Sequence, residues 1–164
     1  MTLQDGPIVA LRALRPQERA AVLDVFSRLG DESRRQRFFG AKPRLSDREL
    51  DQLTDVDGRT RDALVAVVSH DEHAESVGVA RFVRETDDPE TAEVAFAVAD
   101  DWQGRGIGTQ LADALARRAQ AVGIRRLRAS AFADNVRSLA LVRRLGRVVE
   151  SRRDGPTVEL VVEL

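Results

Sequence analysis

Three glycines alternate in Gln103-Gly104-Arg105-Gly106-Ile107-Gly108, between a run that reads as a strand, residues 92–99, and one that reads as a helix, residues 107–121. No other feature restricts the fold as much. Glycines at this spacing let the backbone turn tightly and leave amide hydrogens exposed at the positive end of the helix dipole. Such a turn suits a pyrophosphate. A P-loop is excluded, because it needs Gly-Lys followed by Ser or Thr and the sole lysine of the chain is Lys42. A dinucleotide-binding turn needs Gly or Ala where Thr109 stands, and parallel strands before it, whereas a hairpin pattern precedes this one.

The flanking patterns are regular. In the strand run, Val94, Phe96 and Val98 share one face, and Glu93, Ala95, Ala97 and Ala99 the other, which is notably small. The helix carries Ile107, Leu111, Leu115 and Val122 as an apolar stripe and closes at Gly123. Upstream, residues 8–14 read as a strand, and a helix opened by Arg15-Pro16 runs towards Gly30. The basic run Arg34-Arg35-Gln36-Arg37 ends in Phe38-Phe39-Gly40. Ser46-Asp47-Arg48-Glu49 has the capping-box pattern and predicts a short helix from 47 to about 53. Residues 63–69 and 76–84 predict an antiparallel hairpin joined by the polar turn 71–75. Downstream come a strand at 127–132, a helix from about Asn135 to Leu145 ended by Gly146, and two closing strands at 147–151 and 157–164. This order predicts an α+β domain with a mixed sheet, one domain spanning 1–164.

Composition removes several classes of function. The chain of 164 residues has no cysteine, so thiolate chemistry and disulfides are out. His70 and His73 sit at the tip of the predicted hairpin without further ligand types nearby, which favours a solvated turn over a metal site, and no metal is expected. Residues 1–7 carry no leader pattern and no apolar run reaches bilayer length, so a cytoplasmic protein without membrane contact is expected. From Arg117 to Leu164 there are 11 arginines against five acidic residues, consistent with solvated helix faces or with a positive rim for a phosphorylated ligand. Nucleic acid is not an expected partner, since Phe132 is the only stacking aromatic among those arginines.

The glycine turn matches the pattern of Gln or Arg, two residues, Gly, one residue, Gly of the GCN5-related N-acetyltransferases, through Gln103, Gly106 and Gly108. The chain resembles that superfamily along nearly its whole length, most specifically over residues 93–146. The resemblance implies a twisted mixed sheet of about seven strands with about four helices, and acetyl-CoA as co-substrate. It further implies that backbone groups of Val98 and Ala99 bind the pantetheine arm. The amides of Gly104, Arg105, Gly106, Ile107, Gly108 and Thr109, after Gln103, would hold the pyrophosphate. Asn135 resembles the family asparagine that contacts the cofactor, and reads equally naturally as a helix N-cap. Ala92-Glu93-Val94-Ala95-Phe96 resembles the stretch that holds the catalytic glutamate of protein lysine acetyltransferases, which makes Glu93 the candidate general base. That stretch, with Arg34 to Gly40 and Leu45 to Leu50, is most similar to the acetyltransferase domain of bacterial Pat-type enzymes, which modify lysines on proteins such as acyl-CoA synthetases.

Two departures stand out. Many relatives carry a tyrosine in the last helix, at the position of Val142, to protonate the departing thiolate, and this chain has no tyrosine. The usual Gly-Phe ending of that helix is Gly146-Arg147 here. Three readings therefore stand: a protein lysine acetyltransferase, a small-amine acetyltransferase, and a non-catalytic acyl-CoA-binding module. The Arg34 to Arg37 run reads either as lining the substrate mouth against an acidic partner or as a solvated helix end, and oligomeric state is left open.

Overall fold

The structure, a computed structural model, describes residues 7–164; residues 1–6, part of the stretch without a leader pattern, lie outside them. Seven strands form one sheet: β1 (Ile8–Ala13), β2 (Arg61–His70), β3 (His73–Arg84), β4 (Thr91–Val98), β5 (Arg126–Phe132), β6 (Arg147–Asp154) and β7 (Thr157–Glu163). Their order is β1-β2-β3-β4-β5-β7-β6. Every neighbouring pair is antiparallel except β4 with β5. Five α-helices accompany them: α1 (Arg19–Ser27), α2 (Asp31–Phe38), α3 (Asp47–Leu53), α4 (Ile107–Ala121) and α5 (Val136–Arg143). This is the expected α+β mixed sheet, with one helix more than the resemblance implied. The hairpin turn is shorter than the sequence pattern predicts, because β2 and β3 pair as far as His70 and His73.

The additional helix is α2. Its sequence, DESRRQRF, has no apolar periodicity, and its fixing groups come from elsewhere in the chain. The N-cap is Gly30, which has no side chain to offer, so the Asp100 carboxylate accepts from Gly30 N–H at 3.0 Å and from Ser33 Oγ at 2.6 Å. Arg34 lies 4.0 Å over the Phe26 ring and donates to the carbonyls of Phe26 and Pro43, stitching α2 to α1 and to the loop before α3. By contrast α3 follows its local signal: Ser46 and Glu49 form the reciprocal capping box read from the sequence.

Helices cover both faces of the sheet. On one side α4 buries Ile107, Leu111 and Leu115 against Leu64, Val77, Phe82, Ala92 and Val94, each large side chain contributing about 2–3 kcal/mol. On the other, α1 and α3 pack Ala21, Val22 and Leu50 on Ala63, Val65 and Leu14. Alternate residues of β2 thus serve opposite cores, which is why its central stretch reads as a continuous apolar run.

In the Gly146-Arg147 pair the glycine is required by packing and the arginine stands on an exposed edge. A Cβ on Gly146 would lie 2.1 Å from the Glu163 carbonyl oxygen, where β7 passes against the end of α5. Arg147 then opens β6, an edge strand exposed along its length, and its side chain reaches Glu163 at 3.1 Å. An aromatic there would stand in water, whereas charge on an edge strand discourages pairing with another chain. Gly146→Ala is expected to destabilise the fold by about 3 kcal/mol, since the obstacle is backbone; urea unfolding measures it.

Candidate active site

β4 and β5 pair only at Thr91–Arg126, Ala92–Leu127 and Glu93–Arg128. Beyond Glu93 each strand follows its antiparallel partner, β4 staying with β3 to Val98 and β5 with β7 to Phe132, and the two part. The resulting gap is the core of a cleft of about 520 Å³. Ala99 N–H donates to the Val77 carbonyl at 2.7 Å. Because backbone groups alternate along an antiparallel ladder, residues 93, 95 and 97 then turn theirs to β3, and Phe96 and Val98 turn theirs into the gap. Gln103 Nε2 reaches the Val98 carbonyl from that side at 3.0 Å. Of the two residues expected to hold a pantetheine arm, Val98 faces the cleft, whereas Ala99 is buried with its N–H committed to β3. Phe96, which the sequence pattern put on one strand face with Val98 but gave no binding role, turns its backbone groups the same way.

The glycine turn sits at one end of the gap. Gly104 and Gly106 have φ of 73° and 87°, conformations that favour glycine, and Gly106 is the N-cap of α4. It offers no capping side chain and the first turn holds no acidic residue, so the amides of Ile107, Gly108 and Thr109 have no intrahelical acceptor. These orphan donors, with the dipole of a 15-residue helix behind them, fit a pyrophosphate group without help from any added feature. Gly104, Gly106, Gly108 and Thr109 line the cleft. Arg105 does not: its guanidinium lies 4.7 Å over the Trp102 ring. The Ile107 side chain belongs to the core. Gln103 ties three elements together, donating to Val98 and to Ser33 Oγ of α2 and accepting from Arg137 of α5 at 3.1 Å.

Asn135 lines the cleft and also caps α5, its Oδ1 accepting from Ser138 N–H at 3.3 Å. The cap uses one half of the amide and leaves the NH₂ half as a donor for a second partner. Ser138 and Val142 continue the same helix face into the cleft wall, with Val142, where the resemblance would put a tyrosine, buried. Of the C-terminal arginines, Arg137 and Arg144 stand on the cleft rim, while Arg147, Arg152 and Arg153 lie on β6 at the far edge of the sheet.

Glu93 stands where the two strands part, exposed and lining the cleft. Its neighbour across the seam, Arg128, does not neutralise it. Arg128 gives Nε to Glu85 and Nη1 to Glu159, each at 2.7 Å, and among the described residues Glu93 makes no ion pair. On the same face are Arg37 of α2 and Arg81 of β3. Burial pushes the Arg37 guanidinium down to about 10, with Arg81 acting the same way and Glu93 opposing. Burial also lowers Arg81, Arg61 adds to the effect, and Glu93 and Asp55 oppose it. Sequence reasoning noted Arg37 only as part of a basic run, and it missed Arg81, Ser130 and Ser138. Ser130, on the cleft-lining stretch of β5, had no motif around it.

Among the described residues no group of three or more His, Asp and Glu side chains could hold a metal ion, and no helix is long and apolar enough to cross a membrane. Comparison with known proteins agrees with this geometry. The model of the acetyltransferase (GNAT) family matches residues 28–146. An acetyltransferase of Pseudomonas aeruginosa is 34% identical over 110 residues, 67% of this chain and 59% of that protein. The acetyltransferase Pat of Mycolicibacterium smegmatis is 41% identical over 99 residues, 60% of this chain and 29% of that protein. The chain thus spans less than two thirds of the length of either relative. The crystal structure of the GNAT domain of S. lividans PAT superposes with a TM-score of 0.85 at 28% identity, covering 100% of this chain and 95% of that one.

Proposed function

Because this chain belongs to the acetyltransferase (GNAT) family, we propose that it moves an acetyl group from acetyl-CoA to the side-chain amine of a protein lysine, with Glu93 as general base. The observation that carries this reading is the parting of β4 and β5, around which an unpaired carboxylate, a row of outward-facing backbone groups and an uncapped helix N-terminus share one cleft. Likeness to Pat-type domains supports the lysine as acceptor.

Acetyl-CoA supplies an activated thioester. The chain's own residues do the rest. The amides of Ile107, Gly108 and Thr109 bind the pyrophosphate, the backbone of Phe96 and Val98 pairs with the amide-bearing arm as an added strand would, and the Asn135 NH₂ steadies its inner end. The acceptor enters from the α2 side. A lysine amine is protonated at neutral pH, its ordinary pKa being about 10.4, so Glu93 takes a proton from it before it attacks the thioester carbon. No side chain is needed to protonate the departing thiolate. Thiols have pKa values near 8.5 and leave readily, so water entering past Val142 and Ser138 suffices.

Mass spectrometry of host cytosol incubated with acetyl-CoA and the protein tests the reading. New acetyl-lysine on proteins is the expected product. Acetylated metabolites alone would move the acceptor to small amines. Bound acetyl-CoA with no product at all would favour a non-catalytic module, the reading to which the absence of tyrosine at Val142 points.

A further inference from the structure

The α2-facing side of the cleft carries more positive charge than its local acids balance. Arg81 stands opposite Ala95 across β3 and β4, two residues along the same face from Glu93, and Arg37 lines the cleft beside it. Neither guanidinium has an ion-pair partner among the described residues, and Arg37 rests 4.9 Å over the ring of its own neighbour Phe38, whereas the arginines around them are more fully engaged. Arg61 has Asp55, Arg128 has Glu85 and Glu159, and Arg34 and Arg35 are taken up by Phe26 and Phe132. Glu93 acts on both guanidinia without pairing with either, and Asp55, itself paired with Arg61, acts on Arg81, so two half-buried cations share little negative charge unless a ligand brings more. They also disfavour an acceptor that is only a cation.

We propose that Arg37 and Arg81 form an anion-recognising subsite, so that the preferred acceptor lysine lies in a protein segment with an aspartate or glutamate within a few residues of it. The proposal rests on the reading of this cleft as the acetyl-transfer site and adds the acceptor's charge. Guanidinium forks bind carboxylates in two-point fashion, so the acidic residue fixes the segment while the lysine reaches Glu93. Both arginines act as positioning residues, and their contribution belongs in KM.

Two matched peptides test it, one with its lysine flanked by Asp and Glu and one with Asn and Gln there, each assayed with wild type, Arg37→Gln, Arg81→Gln, Arg37→Lys and, as a charge-matched control on the distant edge strand, Arg152→Gln. Wild type is expected to favour the acidic peptide about tenfold in kcat/KM, the effect lying in KM and weakening with salt. Either glutamine variant brings the ratio towards one, Arg37→Lys restores it partly, and Arg152→Gln keeps it. Fluorescence anisotropy of the labelled acidic peptide on protein saturated with CoA reads the subsite without turnover. Arginine-dependent binding without acetylation would sink the catalytic reading and leave the subsite standing. Acetylation of both peptides at equal kcat/KM, or no binding of the acidic peptide, would overturn the subsite. So would an arginine-dependent preference for free amino acids over both peptides.

Discussion

Glu93→Gln is expected to lower kcat by about 10²–10⁴-fold while acetyl-CoA affinity stays within about twofold. The substitution keeps volume and shape, and Glu93 is exposed and outside any ion pair, so neither packing nor stability gives the variant a reason to fail. What it removes is the proton acceptor at the point where β4 and β5 separate. At pH 8 only about one lysine amine in 250 is neutral, given an ordinary pKa of about 10.4. The variant then depends on that fraction, and its rate should climb about tenfold per pH unit up to pH 10, whereas the wild-type profile is flatter. Steady-state kinetics between pH 7 and 10, with cofactor binding by calorimetry, make the measurement. A loss under threefold would remove Glu93 from the chemistry.

Gly108→Asp should raise the Kd for acetyl-CoA at least a hundredfold without lowering the melting temperature. Position 108 lies in the first turn of α4 with an ordinary helical φ, and a Cβ there meets only Leu141 Cδ2 and Val98 Cγ2, each at 3.7 Å. Replacing a helical glycine by Asp adds about 0.3 kcal/mol of helix propensity, and a carboxylate in the first turn adds about 0.3–1 kcal/mol through the dipole. The same carboxylate occupies the amides that would hold the pyrophosphate and repels it, by about 4 kcal/mol for unit charges 4 Å apart at an effective dielectric of 20. Function and stability thus move in opposite directions. Thermal unfolding with and without acetyl-CoA separates them: the wild type gains stability with ligand, and the variant starts as high and gains nothing. A variant that still gains would place the pyrophosphate elsewhere.

What the sequence disclosed and what it concealed divide along the range of the interactions. Elements fixed by neighbours in the chain were legible: α3 through its capping box, α4 through its stripe, the glycine turn through its spacing. So were the residues those elements carry to the cleft, among them Gln103, Gly104, Gly106, Gly108, Thr109 and Asn135. α2 was hidden because its cap, Asp100, comes from 70 residues away. The different surroundings of Val98 and Ala99 depend on which ladder rung bonds to β3, a matter of register that alternation alone leaves open. Arg128 beside Glu93, and Arg81 on the same face, are neighbours only through strand pairing, and no local pattern announces such meetings.

The short seam between β4 and β5 bears on more than the shape of the cleft. With three residue pairs joining them, the sheet behaves mechanically as two leaves, one of four strands and one of three, hinged near Glu93 and Arg128 and latched on the α2 side by the contact of Phe39 with Phe132 at 5.2 Å. Amide hydrogens in the three-stranded leaf should exchange with solvent through opening of this hinge, at lower free energy than global unfolding requires. A molecule bound across the gap would close the hinge as well as fill it, and would register as slower exchange in β7, a strand it never touches.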